Sequence, residues 1–158
     1  MEFTANGAAW WGKKMNEVDF LIRTFVFPQD FEAVLELWRN AGEGIHLGQS
    51  DTYDEIAKKL ARDPQLTLVA EKEGRIVGAV MGGFDGRRGL VYHLATYPSQ
   101  RKQGIASALM DELEKRLREI GCRRVYLLVT PENTTAQRFY EKRGWQRMEI
   151  LTYAKNLE

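Results

Sequence analysis

From Pro98 to Ala106 the chain reads Pro-Ser-Gln-Arg-Lys-Gln-Gly-Ile-Ala, immediately before a long run of helical periodicity. A helix N-terminus offers unpaired backbone N–H groups and about half a positive charge, a ready site for a phosphate. Gly104 has no side chain, so an anion can approach the main chain closely. Ala106 keeps the next turn small, and Arg101 and Lys102 can add positive charge. Such a loop would cradle a pyrophosphate without needing a basic protein. It is neither a P-loop, which needs G-x-x-x-x-G-K-[ST], nor a dinucleotide fingerprint, which needs three spaced glycines. A surface turn whose glycine merely eases helix entry would read the same.

A second stretch, Asn133-Thr134-Thr135-Ala136-Gln137-Arg138-Phe139-Tyr140-Glu141-Lys142-Arg143-Gly144-Trp145, follows the next strand-like run. Together the two resemble the GNAT superfamily of N-acetyltransferases. Its coenzyme A loop has the pattern Gln/Arg-x-x-Gly-x-Gly/Ala, matched by Arg101, Gly104 and Ala106. Its later segment runs Asn-x-x-Ala-x-x-Phe/Leu-Tyr-x-x-x-Gly-Phe/Trp, matched by Asn133, Ala136, Phe139, Tyr140, Gly144 and Trp145. The resemblance covers residues 19–155, including the order of elements.

The resemblance implies an α/β (α+β) fold: a mixed, mostly antiparallel central sheet, helices on both faces and a splayed parallel strand pair. Pantetheine would enter between the splayed strands and pair with an exposed edge, a form of strand addition. The backbone of Leu94, Ala95 and Thr96 would then meet pantetheine or the acetyl group. The N–H groups of Arg101, Lys102, Gln103, Gly104, Ile105 and Ala106 would hold the pyrophosphate, and Asn133 would hydrogen-bond the coenzyme arm. Tyr140 occupies the place of the family's usual general acid. A phenol with a reference pKa of about 10 can protonate the thiolate expelled when an amine attacks a thioester. A buried tyrosine bonded to one backbone partner is the alternative.

An alkylamine, with a reference pKa of about 10.4, must lose a proton before it attacks. Many relatives use a glutamate on a splayed strand, but residues 90–94 and 126–129 contain no carboxylate. His93 is the one neutral-pH base in these runs and is the candidate general base. A packed histidine fits the sequence equally, because a bulge there would hide which way it points. A water chain to Asp85, Glu43 or His46 is another route.

Cys122 opens a buried strand without an activating partner, so packing outweighs a nucleophilic role. That favours direct transfer in a ternary complex over an acyl-cysteine. Residues 43–49, between two early helices, are where this family builds its acceptor wall. Arg87 and Arg88, in the glycine-rich 82–89 loop, are expected to be solvated.

The elements that must position these residues follow from periodicity. Residues 20–26 read as a strand, and a helix runs from Pro28 to Arg39 with Phe31, Val34, Leu35 and Trp38 on one face. Ser50 and Asp51 are capping-type residues for a second helix with Tyr53, Ile56, Ala57 and Leu60 inward, closed by Pro64. Strand-like runs at 66–71, 75–81 and 90–97 are joined by the Glu73-Gly74 turn and a hairpin at Asp85-Gly86. The longest helix spans 104–120 with Ile105, Leu109, Leu113, Leu117 and Ile120 buried, and Gly121 ends it. Asp111 with Lys115, Glu112 with Arg116 and Glu114 with Arg118 stand at i,i+4 with the acid first. A strand buried on both faces at 124–129, a helix at 134–142 and a last strand at 145–153 complete the order.

At 158 residues, 44% hydrophobic and 28% charged, the chain fits one globular domain over 19–158. Residues 1–18 show no periodicity and are expected to form a flexible tail, with Trp10 and Trp11 able to dock on the domain or a partner. A net charge of +1 provides no long-range field for nucleic acid or an anionic membrane. One cysteine and two histidines argue against structural zinc, so no metal is expected, and the single cysteine suits a reducing cytoplasm. The expectation is a soluble cytoplasmic enzyme moving acetyl from acetyl-CoA, its co-substrate, to a primary amine of a small molecule, peptide or protein. A non-catalytic acyl-CoA sensor is the alternative, and an edge strand that could pair two subunits leaves a homodimer open.

Overall fold

The computed structural model describes residues 19–157. The proposed tail with Trp10 and Trp11 lies outside them. Five strands, β1 (Leu21–Thr24), β2 (Thr67–Lys72), β3 (Arg75–Phe84), β4 (Gly89–Thr96) and β5 (Val125–Leu127), form one sheet in sequence order. The first four are antiparallel neighbours and β4–β5 is parallel. Helices α1 (Phe31–Asn40) and α2 (Tyr53–Arg62) cover one face; α3 (Ile105–Glu119) and α4 (Thr134–Lys142) pack with the cluster on the other. This is the mixed α/β architecture expected.

Two hydrophobic layers result. Phe31, Val34, Leu37 and Trp38 of α1 and Ile56 and Leu60 of α2 press on Val69, Ala79, Met81 and Ala95. On the opposite face Ile105, Leu109, Met110, Leu113 and Leu117 of α3 meet Leu68, Ala70, Val77, Val80 and Val91. Along β3 alternation sends Ala79 and Met81 to one layer and Val80 to the other, while Val77 joins Val80 because the β2–β3 register shifts opposite Ala70 and Glu71. Gly78 and Gly82 let α3 lie close: a Cβ would meet Ile105 Cγ2 at 2.8 Å and Leu113 Cδ1 at 2.6 Å, respectively.

Several sequence expectations need correction. Helix α1 begins at Phe31 rather than Pro28, and Leu37, not Leu35, completes its buried face. The cap of α2 is Thr52, whose Oγ1 accepts from Glu55 N–H at 3.4 Å; Ser50 and Asp51 lie in the preceding turn. Ile120 is exposed, because Gly121 at φ 90° turns the chain away. There Cys122 N–H donates to Leu117 O and Gly121 N–H to Arg118 O, closing the helix with two crossed bonds.

Of the i,i+4 pairs, Glu112–Arg116 (2.8 Å) and Glu114–Arg118 (3.5 Å) form, whereas Asp111 pairs with Arg143. Strand β5 is only three residues long and half-buried rather than covered on both faces. Residues 146–157 are exposed and residues 145–157 form no strand, against the expected last strand. Alternation signals a strand only where an edge exists to pair with it.

Candidate active site

Between β4 and α3 the chain makes a tight turn at Pro98–Gln100 and passes through left-handed conformations at Lys102 (φ 61°) and Gly104 (φ 81°). No side chain caps α3, and its first backbone bond runs from Ala108 N–H to Gly104 O at 3.0 Å. Among the described residues, the N–H groups from Lys102 to Ser107 therefore find no protein acceptor. They converge at the positive end of the longest helix, whose dipole favours an anion there. A Cβ on Gly104 would meet nothing within 4 Å, so the approach is open.

The flanking side chains are partly committed. Arg101 Nη2 donates to Ala41 O at 2.6 Å, pinning the loop to the end of α1. Gln103 Oε1 accepts from Lys72 Nζ at 3.0 Å. Ile105 is buried and anchors the first turn in the core.

Strands β4 and β5 pair only through Gly89–Val125, Leu90–Tyr126 and Val91–Leu127. Beyond that point β4 continues to Thr96, held on its other edge by β3. The edge of Leu94, Ala95 and Thr96 that would face β5 is thus unpaired, and Thr96 Oγ1 is buried without a partner. A free edge leading to an amide-lined helix start fits a long acyl carrier with amides along its arm and a diphosphate at its end.

His93 sits in a β-bulge. Ala79 faces Ala95 and Met81 faces Tyr92, so His93 and Leu94 together oppose Val80, with His93 at φ 46°. The extra residue turns His93 toward the α1/α2 face, where its ring lies 4.9 Å from that of Trp38. His93 Nε2 is 2.7 Å from Asp51 Oδ1, and Asp51 Oδ2 accepts from Gly48 N–H at 2.8 Å. An ionised carboxylate can only accept a hydrogen bond, here from Nε2–H, which leaves Nδ1 of the neutral ring as the basic nitrogen.

Tyr140 packs on the other face, against the core that α3 covers and beside Phe139 and Trp145. Its ring is 5.1 Å from Phe139 and 5.7 Å from Trp145. Burial pushes the phenol up to about 12, against a smaller lowering by Arg143, and no hydrogen bond to its hydroxyl contributes. His93 and Tyr140 thus stand on opposite faces of the sheet, in a region where β4 and β5 separate. Asn133 caps α4, its Oδ1 accepting from Ala136 N–H at 3.1 Å. Its Nδ2 faces Gly44, where a Cβ would collide with it. The loop after α1 therefore reaches the start of α4.

The model of the acetyltransferase (GNAT) family matches residues 31–145. The chain belongs to the GNAT family. It is 42% identical over 133 residues to an acetyltransferase of Pectobacterium atrosepticum, covering 84% of this chain and 93% of the relative. A Yersinia pestis acetyltransferase is 39% identical over the same shares. Among solved structures, Ard1 from Thermoplasma volcanium superposes with TM-score 0.70 at 28% identity, covering 80% of this chain and 82% of that one. The PaiA N-acetyltransferase from Thermoplasma acidophilum, in complex with coenzyme A, shares the fold (TM-score 0.73, 19% identity, 83% and 92% covered). As a GNAT protein the chain is an acyl-CoA-dependent acetyltransferase.

Within this GNAT domain the loop residues 101–106 meet at one helix start, and Leu94, Ala95 and Thr96 line the free edge. The other suggested proton acceptors are placed differently. Glu43 and His46 are exposed. Asp85 Oδ1 accepts from the N–H groups of Arg87 and Arg88 at 2.7 Å each, holding the hairpin tip. Cys122 is buried, its thiol donating to Arg124 O at 3.3 Å, a packing role. Among the described residues no group of three or more His, Cys, Asp or Glu could hold a metal, and no helix is long and apolar enough to cross a membrane. Asp51 was read from sequence only as a capping-type residue; its histidine partner lies 42 positions away, beyond any local pattern.

Proposed function

We propose that this enzyme transfers an acetyl group from acetyl-CoA to a primary amine by direct attack within a ternary complex. The observation that carries the reading is the run of unpartnered amides opening α3, placed next to the free edge where β4 leaves β5. The amides of residues 102–106 bind the diphosphate, with the charge of Arg101 and Lys102 beside it. The backbone of Leu94, Ala95 and Thr96 holds the pantetheine arm and sets the thioester in the gap. Asn133, its Oδ1 engaged in capping, offers Nδ2 to the arm.

The amine approaches from the α1/α2 face. Nδ1 of His93 takes its proton, and Asp51 is the positioning residue that fixes the tautomer. A C–N bond forms, the C–S bond breaks and the sulfur leaves with the electron pair. With its phenol near 12, Tyr140 is a weaker acid than a free phenol, while the reference pKa of a thiol is about 8.5. It therefore stabilises the thiolate first by hydrogen-bond donation; complete proton transfer is uphill unless the bound state changes its surroundings.

Release of free thiol from acetyl-CoA, followed across a panel of amines, tests this reading. Amine-dependent release with saturation in both substrates supports it. Saturable acetyl-CoA binding without turnover of any amine would instead favour a sensor.

A further inference from the structure

On the α1/α2 face, beside the last paired rungs of β4 and β5, lies a cavity of about 410 Å³. Leu90, Tyr92 and Tyr126 form its strand wall, while Arg62 and Arg88 bring guanidinium groups from α2 and the β3–β4 hairpin. Its size suits a small organic molecule. Gly83 also lines it: a Cβ there would stand 3.4 Å from Lys59 Nζ and 3.5 Å from the Tyr92 ring.

The charges lining this cavity are unevenly satisfied. Lys59 is paired with Asp63 and donates to Gly82 O at 2.7 Å. Asp85 spends one oxygen on two backbone N–H groups. Neither Arg62 nor Arg88 has a carboxylate in ion-pair range among the described residues. Arg62 donates weakly to Phe84 O at 3.4 Å. Arg88 donates to the Tyr126 hydroxyl, and its guanidinium carbon stands 5.4 Å from the centre of that ring. With one N–H engaged by the hydroxyl, this guanidinium keeps the rest of its planar fork of donors, which suits a carboxylate.

Position ties this cavity to the reaction. Tyr92 adjoins His93 in sequence, and the Leu90–Tyr126 rung is one step before the strands separate. Resting on the assignment of amine acetylation, we propose that this cavity holds the carboxylate end of the acceptor. The acceptor is then an amine whose skeleton, apolar or aromatic, ends in a carboxylate remote from the nitrogen. Arg88 and Arg62 bind that carboxylate, Tyr92 and Tyr126 flank the skeleton, and the amine reaches the gap beside His93.

The test measures binding separately from turnover. Calorimetry on the protein saturated with coenzyme A compares the product-like probe N-acetylglycylphenylalanine with its C-terminal amide. The acid is expected to bind about tenfold or more tightly than the amide, as loss of one charge-assisted bond implies. Arg88→Gln should remove that preference while coenzyme A affinity is retained, and Arg62→Gln should reduce it independently of any effect on the hairpin. Equal binding of acid and amide, or a preference that survives both substitutions, overturns the proposal. Failure of the amine panel with the acid-over-amide preference intact would count against acetyl transfer and leave the carboxylate site standing.

Discussion

Asp51 enters the site from the turn before α2 and His93 from the bulge of β4, and a 2.7 Å contact joins Oδ1 of the one to Nε2 of the other. The carboxylate is itself fixed through its second oxygen by Gly48 N–H. An oriented imidazole beside Trp38 is thereby presented on the face from which the amine is proposed to arrive. Asp51→Asn can hold the ring but can also present an amide donor, favouring the wrong tautomer. It should lower kcat by about 10-fold to 100-fold and leave the KM for acetyl-CoA unchanged, whereas His93→Gln should cost about 10²–10⁴-fold. The double variant should be little worse than His93→Gln alone, because the two act as a unit. Additive losses in steady-state kinetics would separate Asp51 from the histidine.

Tyr140→Phe should lower kcat by about 10²–10⁴-fold with coenzyme A affinity preserved in calorimetry. Equal turnover would remove the phenol from the mechanism. With its pKa pushed up to about 12 by burial, the group stays protonated through pH 10, so an alkaline loss of rate below that pH belongs to another group.

The same shift has a consequence for stability. The unfolded phenol ionises near 10.0 and the folded one near 12, so between these values the folded state binds more protons. The contribution of Tyr140 is complete below pH 10 and is lost as pH rises toward 12. Alkaline denaturation followed by circular dichroism should show a shallower fall above pH 10 for Tyr140→Phe than for the parent.

Gly104 offers a test of the anion cradle. Asparagine and aspartate tolerate its left-handed backbone comparably and are nearly the same size, and no atom lies within 4 Å of the Cβ position. Gly104→Asp should bind coenzyme A at least about tenfold more weakly than Gly104→Asn, because only the former sets a negative charge against the diphosphate. Indistinguishable affinities would place the diphosphate elsewhere.

Asp30 should govern acid stability. Burial alone would raise its pKa, but the Arg23 guanidinium at 2.6 Å and Val26 N–H at 2.7 Å outweigh that and hold it below 3.8. Its contribution is therefore present above the unfolded value and lost as pH falls through the depressed folded one. Asp30→Asn should lower the urea midpoint at pH 7, and the gap between variant and parent should narrow below about pH 4. A constant gap across that range would dissociate the carboxylate from the acid transition.

The order of elements and the α3 stripe were legible because helical and strand periods are local properties of neighbouring residues. The loop 101–106 was legible for the same reason: a glycine before a strong helix specifies a backbone conformation by itself. Ile120 and the segment 145–153 were misread because burial and pairing depend on what stands opposite. Periodicity says how a segment would bury itself, not whether a partner is there.

By itself the sequence determined the family, the loop that opens α3 and the place of Tyr140 on α4, since each rests on residues a few positions apart. Only the tertiary structure decided where His93 points, that Asp51 is its partner, that Arg101 clasps Ala41, and that Arg62 and Arg88 share one cavity with two tyrosines. The reason is the bulge and the register of β3 against β4. One extra residue breaks the alternation that would assign a face, and contacts between distant segments exist only once the sheet has set their register.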